Sequence, residues 1–227
     1  MHLILDNVSS LDHGLCLYER PNIPAPKRDV EKRNIRGRNG SLTKEYAWQD
    51  ITFDVTLNIL DDSSIKPDMR TIKPYILKAK TLKMSDESYY YQIIDVEMSD
   101  IQNEIEQYGL FTASFTCKPF QYLDRTVAAI TTKPSTVINA GTVEADPVIK
   151  VTGSGNITLS INSRDFLLIG ITDYVTIDSA MGFSYRLTAG MDHKTNGAMP
   201  YLDPGNNVVS WTGTVTKVEI TYKEAYL

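Results

Sequence analysis

Alternation with a period of two residues dominates the chain. From Ile51 onward, Ile51, Phe53, Val55, Leu57 and Ile59 fall on one side and Thr52, Asp54, Thr56 and Asn58 on the other. That pattern predicts a strand with one buried and one wet face. Ahead of it stands Gly37-Arg38-Asn39-Gly40, whose Asn-Gly pair suits a tight turn with positive φ. Asp29 to Ile35 and Leu42 to Leu60 therefore read as the arms of a long β-hairpin. Pro21, Pro24 and Pro26 cannot sit inside a sheet and predict an extended loop before it.

One helix is expected between about Pro67 and Lys80. Asp61, Asp62, Ser63 and Ser64 offer caps, and Met69, Ile72, Ile76 and Leu77 repeat at helical spacing, with Pro74 a kink or a late start. Strands follow at Tyr89 to Met98 and at Phe111, Ala113, Phe115 and Cys117, the second stopping at Pro119. The pattern lapses between Leu123 and Ser135, which places a domain boundary there, residues 1–128 before it and 129–227 after. Beyond it short strands recur about every ten residues: Pro147 to Val151, Ile157 to Ile161, Phe166 to Ile169, Tyr174 to Ile177, Tyr185 to Leu187, Val208 to Trp211 and Val215 to Tyr222. Gly153-Ser154-Gly155, Asn162-Ser163 and Asp203-Pro204-Gly205-Asn206 read as the turns between them, and no helix is evident. Such punctuation predicts a sandwich or jelly roll. The fold class is mainly β.

With 227 residues, 42% of them hydrophobic and 22% charged, the chain has the material for a sizeable core and is not a disordered one. No apolar run approaches the ~20 residues that cross a bilayer, so no membrane insertion is expected. Met1 to Ser10 lacks the basic and small-residue elements of a signal peptide. The net charge of −5 does not match a nucleic acid, and no specific nucleic-acid binding is expected. It is unevenly spread: eight Lys/Arg against two Asp/Glu between Arg20 and Lys44 give +6, which leaves −11 for the rest. A basic segment in an acidic chain points to a local electrostatic contact, with a solvated hairpin face as the plain alternative.

Chemistry is sparse. Cys16 and Cys117 have no CxxC or Cys/His spacing and read as buried free thiols of a reducing compartment. His2, His13 and His193 form no spaced ligand pair, and no metal or cofactor is expected. Gly153-Ser154-Gly155 lacks the frame of a nucleophile elbow. A glycosidase would need paired carboxylates, for which Asp61-Asp62, Asp95/Glu97 and Asp165/Asp173/Asp178 are available; Asp95 and Glu97, two apart, can share a strand face. Trp211, Tyr174, Tyr185, Phe183 and Tyr201 are candidates for stacking on a sugar, against a core role for most of them.

In order along the chain come Gly37 to Gly40, Arg70-Thr71-Ile72-Lys73, Tyr89 to Tyr91, Tyr108-Gly109-Leu110-Phe111, the string Phe115 to Tyr122 with its F-x-C-x-P-F-x-Y form, and Asn139 to Pro147, which reads N-x-G-T-x-E-A-x-P. Together, over nearly the whole chain, they resemble the distal tail proteins of long-tailed siphophages, the siphovirus tail component family. Pro74 and Tyr75, where relatives often carry an uninterrupted helix with Trp, depart from it, and the second domain lacks a His-x-Asn-x-Arg sugar motif.

The resemblance implies an N-terminal β-sandwich with one helix and a long hairpin, then a galectin-like β-sandwich. It implies a structural virion protein without catalysis, a hexameric ring joining the tail tube and tape-measure ends to the tail tip or baseplate. Its partners would be its own copies, the tube protein, the tape-measure protein and tip or baseplate proteins. Its place would be the virion tail tip, after assembly in the bacterial cytoplasm. Lys27, Arg28, Lys32, Arg33, Arg36 and Arg38 would then stand near the ring, with Lys32, Arg33, Arg36, Arg38 and Asn39 the expected interface to acidic surfaces of neighbours or tail partners. The competing readings are a carbohydrate-binding adhesin module and, third, a glycosidase.

Overall fold

The computed structural model describes every residue except 60–64, 100–101 and 105–107, together with the backbone alone for 65–69, 102–104, 108 and 126–128. The chain packs as two compact units, Met1–Gln121 with Leu227, and Tyr122–Tyr226. The protein is mainly β.

The first unit holds β1 (Leu3–Leu5), β2 (Val8–Ser9), β3 (Leu15–Leu17), β4 (Arg28–Asn34), β5 (Ser41–Trp48), β6 (Ile51–Ile59), the helix α1 (Ile65–Leu77), β7 (Thr81–Met84), β8 (Tyr90–Met98), β9 (Gln102–Glu104) and the start of β10 (Tyr108–Ile130). Strand β6 lies between β3 and β10, and β10 is followed across the sheet by β8, β7, β1 and β2. The predicted alternation of β6 is realised: its odd residues are all buried, and they pair with β10 from Ile59 opposite Gly109 to Ile51 opposite Cys117. Phe53, Phe115 and Tyr91 meet at ring-centroid distances of 5.7 and 6.4 Å, and Ile72 and Ile76 bring the buried stripe of α1 onto the same core.

Three expectations are corrected. The hairpin's second arm ends at Trp48; β6 is a separate strand of the main sheet, because Gln49 and Asp50 break the run. Its tight turn is Ile35–Arg38, closed by the Arg38 N–H donating to the Ile35 carbonyl at 3.1 Å with Gly37 at φ +88°, instead of Asn39-Gly40. And β10 does not stop at Pro119. Its ladder to β6 ends at Cys117, so the missing N–H of Pro119 lies past that pairing and breaks none of it. The patternless stretch after Leu123 is thus strand as far as Ile130.

The second unit continues with β11 (Ser135–Asn139), β12 (Val148–Ile161), β13 (Arg164–Ile171), β14 (Tyr174–Asp178), β15 (Phe183–Arg186), β16 (Ala189–Gly190), β17 (Thr195–Asn196) and β18 (Gly205–Tyr226). The order β16-β15-β14-β12-β18 is extended by β11 on β18, by β13 on β12 and by β17 on β13. Here one expected turn is a bulge. Gly153-Ser154-Gly155 lies inside β12, and the β12–β18 register slips between Thr152 and Gly153 and again between Ser154 and Thr158. Opposite, Gly213 at φ +83° lets β18 run unbroken; a Cβ there would collide with the Asn156 carbonyl oxygen. A bulge bends a strand without ending it. Asn162-Ser163, both with positive φ, is the two-residue turn that was expected. The only helix among the described residues of this unit is a single 3-10 turn, Asp192–Lys194.

Candidate assembly surface

Strands β4 and β5 form a sheet of their own, and among the described residues neither pairs with a third strand. Every residue of β4 is exposed. The base is fastened: the Arg28 guanidinium pairs with Glu45 at 2.6 Å and lies 5.5 Å from the Trp48 ring, Gln49 N–H donates to the Lys27 carbonyl at 2.8 Å, and Trp48 meets Phe120 edge-on at 6.5 Å. Midway, the Tyr46 hydroxyl donates to Glu31 at 2.7 Å, which pushes its pKa up, and Lys44 stands 4.8 Å over the same ring.

The predicted interface residues gather at the other end. Arg36 and Arg38 flank Gly37 in the turn with Asn39 next to them, and Lys32 and Arg33 sit on the last stretch of β4. Arg33 lies opposite Leu42 and Lys32 opposite Thr43, so the two cations point to opposite faces of the ribbon. Among the described residues, Lys32, Arg33, Arg36 and Arg38 make no ion pair. Ile35 and Leu42 are nearly half exposed beside them. The tip thus combines several cations, exposed apolar neighbours and strand edges that pair with no third strand among the described residues.

The outer face of β6 and β10 has the opposite character. Thr52 bonds Thr116 at 3.0 Å, Thr56 bonds Thr112 at 3.4 Å, and Asp54 lies opposite Ser114 between them. A cleft of about 720 Å³ opens on this face, lined among others by Glu19, Arg20, Asp54, Thr56 and Thr112. Its one cation, Arg20, is held by Asp86 at 3.4 Å and Glu87 at 3.3 Å. On the far side of β10, Ser99 N–H donates to the Thr112 carbonyl at 2.8 Å and Thr112 N–H to the Ser99 hydroxyl at 3.0 Å. Counting back along antiparallel strands puts Glu97 beside Ser114.

Among the described residues the candidate carboxylates form no catalytic grouping. Asp95 and Glu97 are exposed on β8. Asp173 pairs with Arg186 at 3.0 Å, Asp178 accepts the Met181 N–H at 3.0 Å in a turn, and Asp165 is exposed, so the three do not converge. Asp61 and Asp62 lie outside the described residues. His13 rests on Tyr75 with centroids 4.2 Å apart, and burial pushes the Tyr75 phenol up to about 12. Among the described residues no cluster of three or more His, Cys, Asp or Glu could hold a metal, and no helix is long and apolar enough to cross a membrane.

The sugar-stacking candidates are mostly covered. Trp211 is buried, Tyr174 has Lys150 at 4.5 Å and Arg186 at 5.4 Å from its ring, and Tyr201 lies under Arg164 at 3.6 Å. Only Phe183 and Tyr185, 5.4 Å apart, keep ring surface without a cation. The N-x-G-T motif proves structural. The wholly buried Asn139 donates to the carbonyls of Val143 (3.0 Å) and Leu202 (3.3 Å) and accepts the Gly141 N–H (3.0 Å), while Gly141 lies so close to β18 that a Cβ would stand 2.6 Å from the Ala225 carbonyl oxygen. A buried Glu224 missed in the sequence accepts from Arg125 at 3.0 Å and from Tyr226 at 2.8 Å; an isolated acid in an alternating strand gives no sign of its partner.

Among solved structures the chain matches the SPP1 Dit (gp 19.1) protein, described as a paradigm of the hub adsorption apparatus in phages infecting Gram-positive hosts. The TM-score is 0.76 at 17% identity, over 100% of this chain and 99% of that one. The fold is that of SPP1 Dit. A second match, to the phage P2 baseplate in its activated conformation with Ca, has a TM-score of 0.51 at 10% identity over 93% of this chain and 90% of that one. No protein-family model and no curated protein matches the chain. The kind of protein whose motifs the sequence resembles is therefore also the kind whose fold it has.

Proposed function

We propose that this protein is the distal tail hub of a long non-contractile-tailed bacteriophage, a structural virion component without catalytic activity or cofactor. Residues 1–128 form a hexameric ring and residues 129–227 make an outward, galectin-like domain. The ring joins the tail tube and tape-measure ends to the tip or baseplate proteins, and it is put together in the host cytoplasm. The observation that carries this reading is the end-to-end match to SPP1 Dit, which spans both units at a TM-score of 0.76. Fold likeness alone does not give function. What adds to it here is a self-standing hairpin with free edges, the kind of element that a ring of identical subunits covers. The rings of Tyr174 and Tyr201, occupied by the protein's own cations, weigh against the carbohydrate-binding alternative.

Light scattering behind size exclusion, at several protein concentrations, tests the reading. A discrete species of six chains is expected. Open polymers of indefinite length, or a dimer that goes no further, would overturn the ring.

A further inference from the structure

We propose that the hairpin tip of one copy docks on the acidic, threonine-lined face of β6, β10 and β8 in the first unit of a second copy. The inference rests on the hub reading and names the two surfaces that meet in the ring.

Both surfaces are incomplete in the single chain. Among the described residues Lys32, Arg33, Arg36 and Arg38 make no ion pair, and neither do Glu19, Asp54, Asp95 and Glu97. Arg20, the cation that lines the cleft beside Glu19 and Asp54, is already engaged by Asp86 and Glu87, so the cleft keeps its negative character. Ribbon arms of seven and eight residues, at ~3.3 Å per residue, hold the tip roughly 23 Å from the anchored Trp48 end. The tip is thus presented to a neighbour. The cleft is large enough, at about 720 Å³, to admit arginine side chains, and its threonine and serine hydroxyls can accept what guanidinium forks donate beyond the carboxylates. Leu42 and Ile35 add apolar area beside the cations, as interface cores require.

Charge reversal tests the pairing. One variant carries Arg36→Glu with Arg38→Glu, the other Asp54→Lys with Glu97→Lys; all four positions are on the surface, and circular dichroism checks the fold. By sedimentation at 0.1 M salt each variant alone is expected to lose association by about tenfold or more, since like charges then face each other. An equimolar mixture is expected to recover it, because an acidic tip meets a basic face and a basic tip an acidic face alternately around an even-numbered ring. Raising the salt to 1 M, where the Debye length is ~3 Å, is expected to weaken the wild-type contact. Wild-type rings whose mass survives both reversals would overturn the docking and leave the hub standing. Loss on tip reversal alone, with face reversal silent and the mixture unrestored, would overturn this face as the partner. A wild-type chain that shows no association at low salt overturns the docking too, and the hub then stands or falls on whether the chain is found by mass spectrometry in purified tails.

Discussion

Removing the Asn139 side chain should unlatch the second unit. The amide is fully buried and makes three hydrogen bonds, two as donor to the carbonyls of Val143 and Leu202 and one as acceptor from Gly141 N–H. Leu202 keeps the Ala145 N–H at 2.9 Å whatever happens at Asn139. In Asn139→Ala the Gly141 N–H and the Val143 carbonyl lose the bonds that Asn139 makes to them. Two buried polar groups deprived of partners, at ~1–3 kcal/mol each, predict a loss of about 2–6 kcal/mol. For a unit of this size, with 4–8 °C per kcal/mol, that lowers the Tm by on the order of 10 °C or more.

The chain provides its own reporter, because Trp48 is in the first unit and Trp211 in the second. In a Trp48→Phe background, urea unfolding followed by tryptophan fluorescence reads the second unit alone. A midpoint shift below about 0.5 kcal/mol at unchanged m would refute the reasoning, since it would mean that water takes over the orphaned groups at no cost. Asn139→Asp sharpens the test. It keeps the acceptor for Gly141 but sets a buried carboxylate against two carbonyl oxygens, which raises its pKa above the ~3.9 of an unfolded aspartate. The penalty then grows as the pH rises past that value, so this variant should be closer to wild type at pH 4 than at pH 7.

Cys117, wholly buried, has its thiol pushed up to about 12, chiefly by burial and secondarily by Asp50. The folded chain thus keeps a proton that the unfolded chain loses above ~8.5–9, and stability should fall by up to ~1.4 kcal/mol per pH unit from there towards pH 12; Cys117→Ala should flatten that slope in alkaline denaturation curves. A thiol reagent at neutral pH should label the half-buried Cys16 and leave Cys117 unlabelled until denaturant is added. Phe115→Ala, at the contact with Phe53, should cost about 3–5 kcal/mol by chemical denaturation, and a cost below 1 would mean that the sheet collapses into the cavity. Gly213→Ala should cost more than an ordinary Gly-to-Ala change, because it adds strain at φ +83° to a backbone collision; stabilisation would show that the bulge can move.

What the sequence made legible follows from which positions are half buried. Strand β6 has a core on one side and solvent on the other, so its alternation could be read directly, and likewise Phe111 to Cys117. The strand beyond Pro119 could not, because among its described residues after Leu123 only Ile130 is buried. Glycine misled twice for the same reason. Gly153, Gly155 and Gly213 supply the conformations of a turn, but here the partner strand continues past them and the same freedom makes a bulge. At the tip, the Asn-Gly pair carried the expectation although Gly37, two residues after Ile35, holds the turn.

The basic half of the proposed contact was visible as composition, but the acidic half was not. Asp54 and Glu97 are 43 positions apart, and only the pairing of both β6 and β8 with β10 brings them to one face around Ser114. A net charge of −5 conceals this separation, since opposite surfaces cancel in the total. Their difference also restricts how copies can meet. A two-fold dimer through the tips would set cation on cation, and one through the acidic faces carboxylate on carboxylate. A tip on a face joins unlike surfaces: two copies can exchange tips reciprocally about a two-fold axis, or each copy that docks its tip on one neighbour leaves its own face open for the next. The second arrangement propagates as a filament or closes as a ring, according to the rotation per copy. The charge layout thus disfavours pairing tip on tip or face on face, and the mass of the wild-type assembly distinguishes a reciprocal pair from a ring.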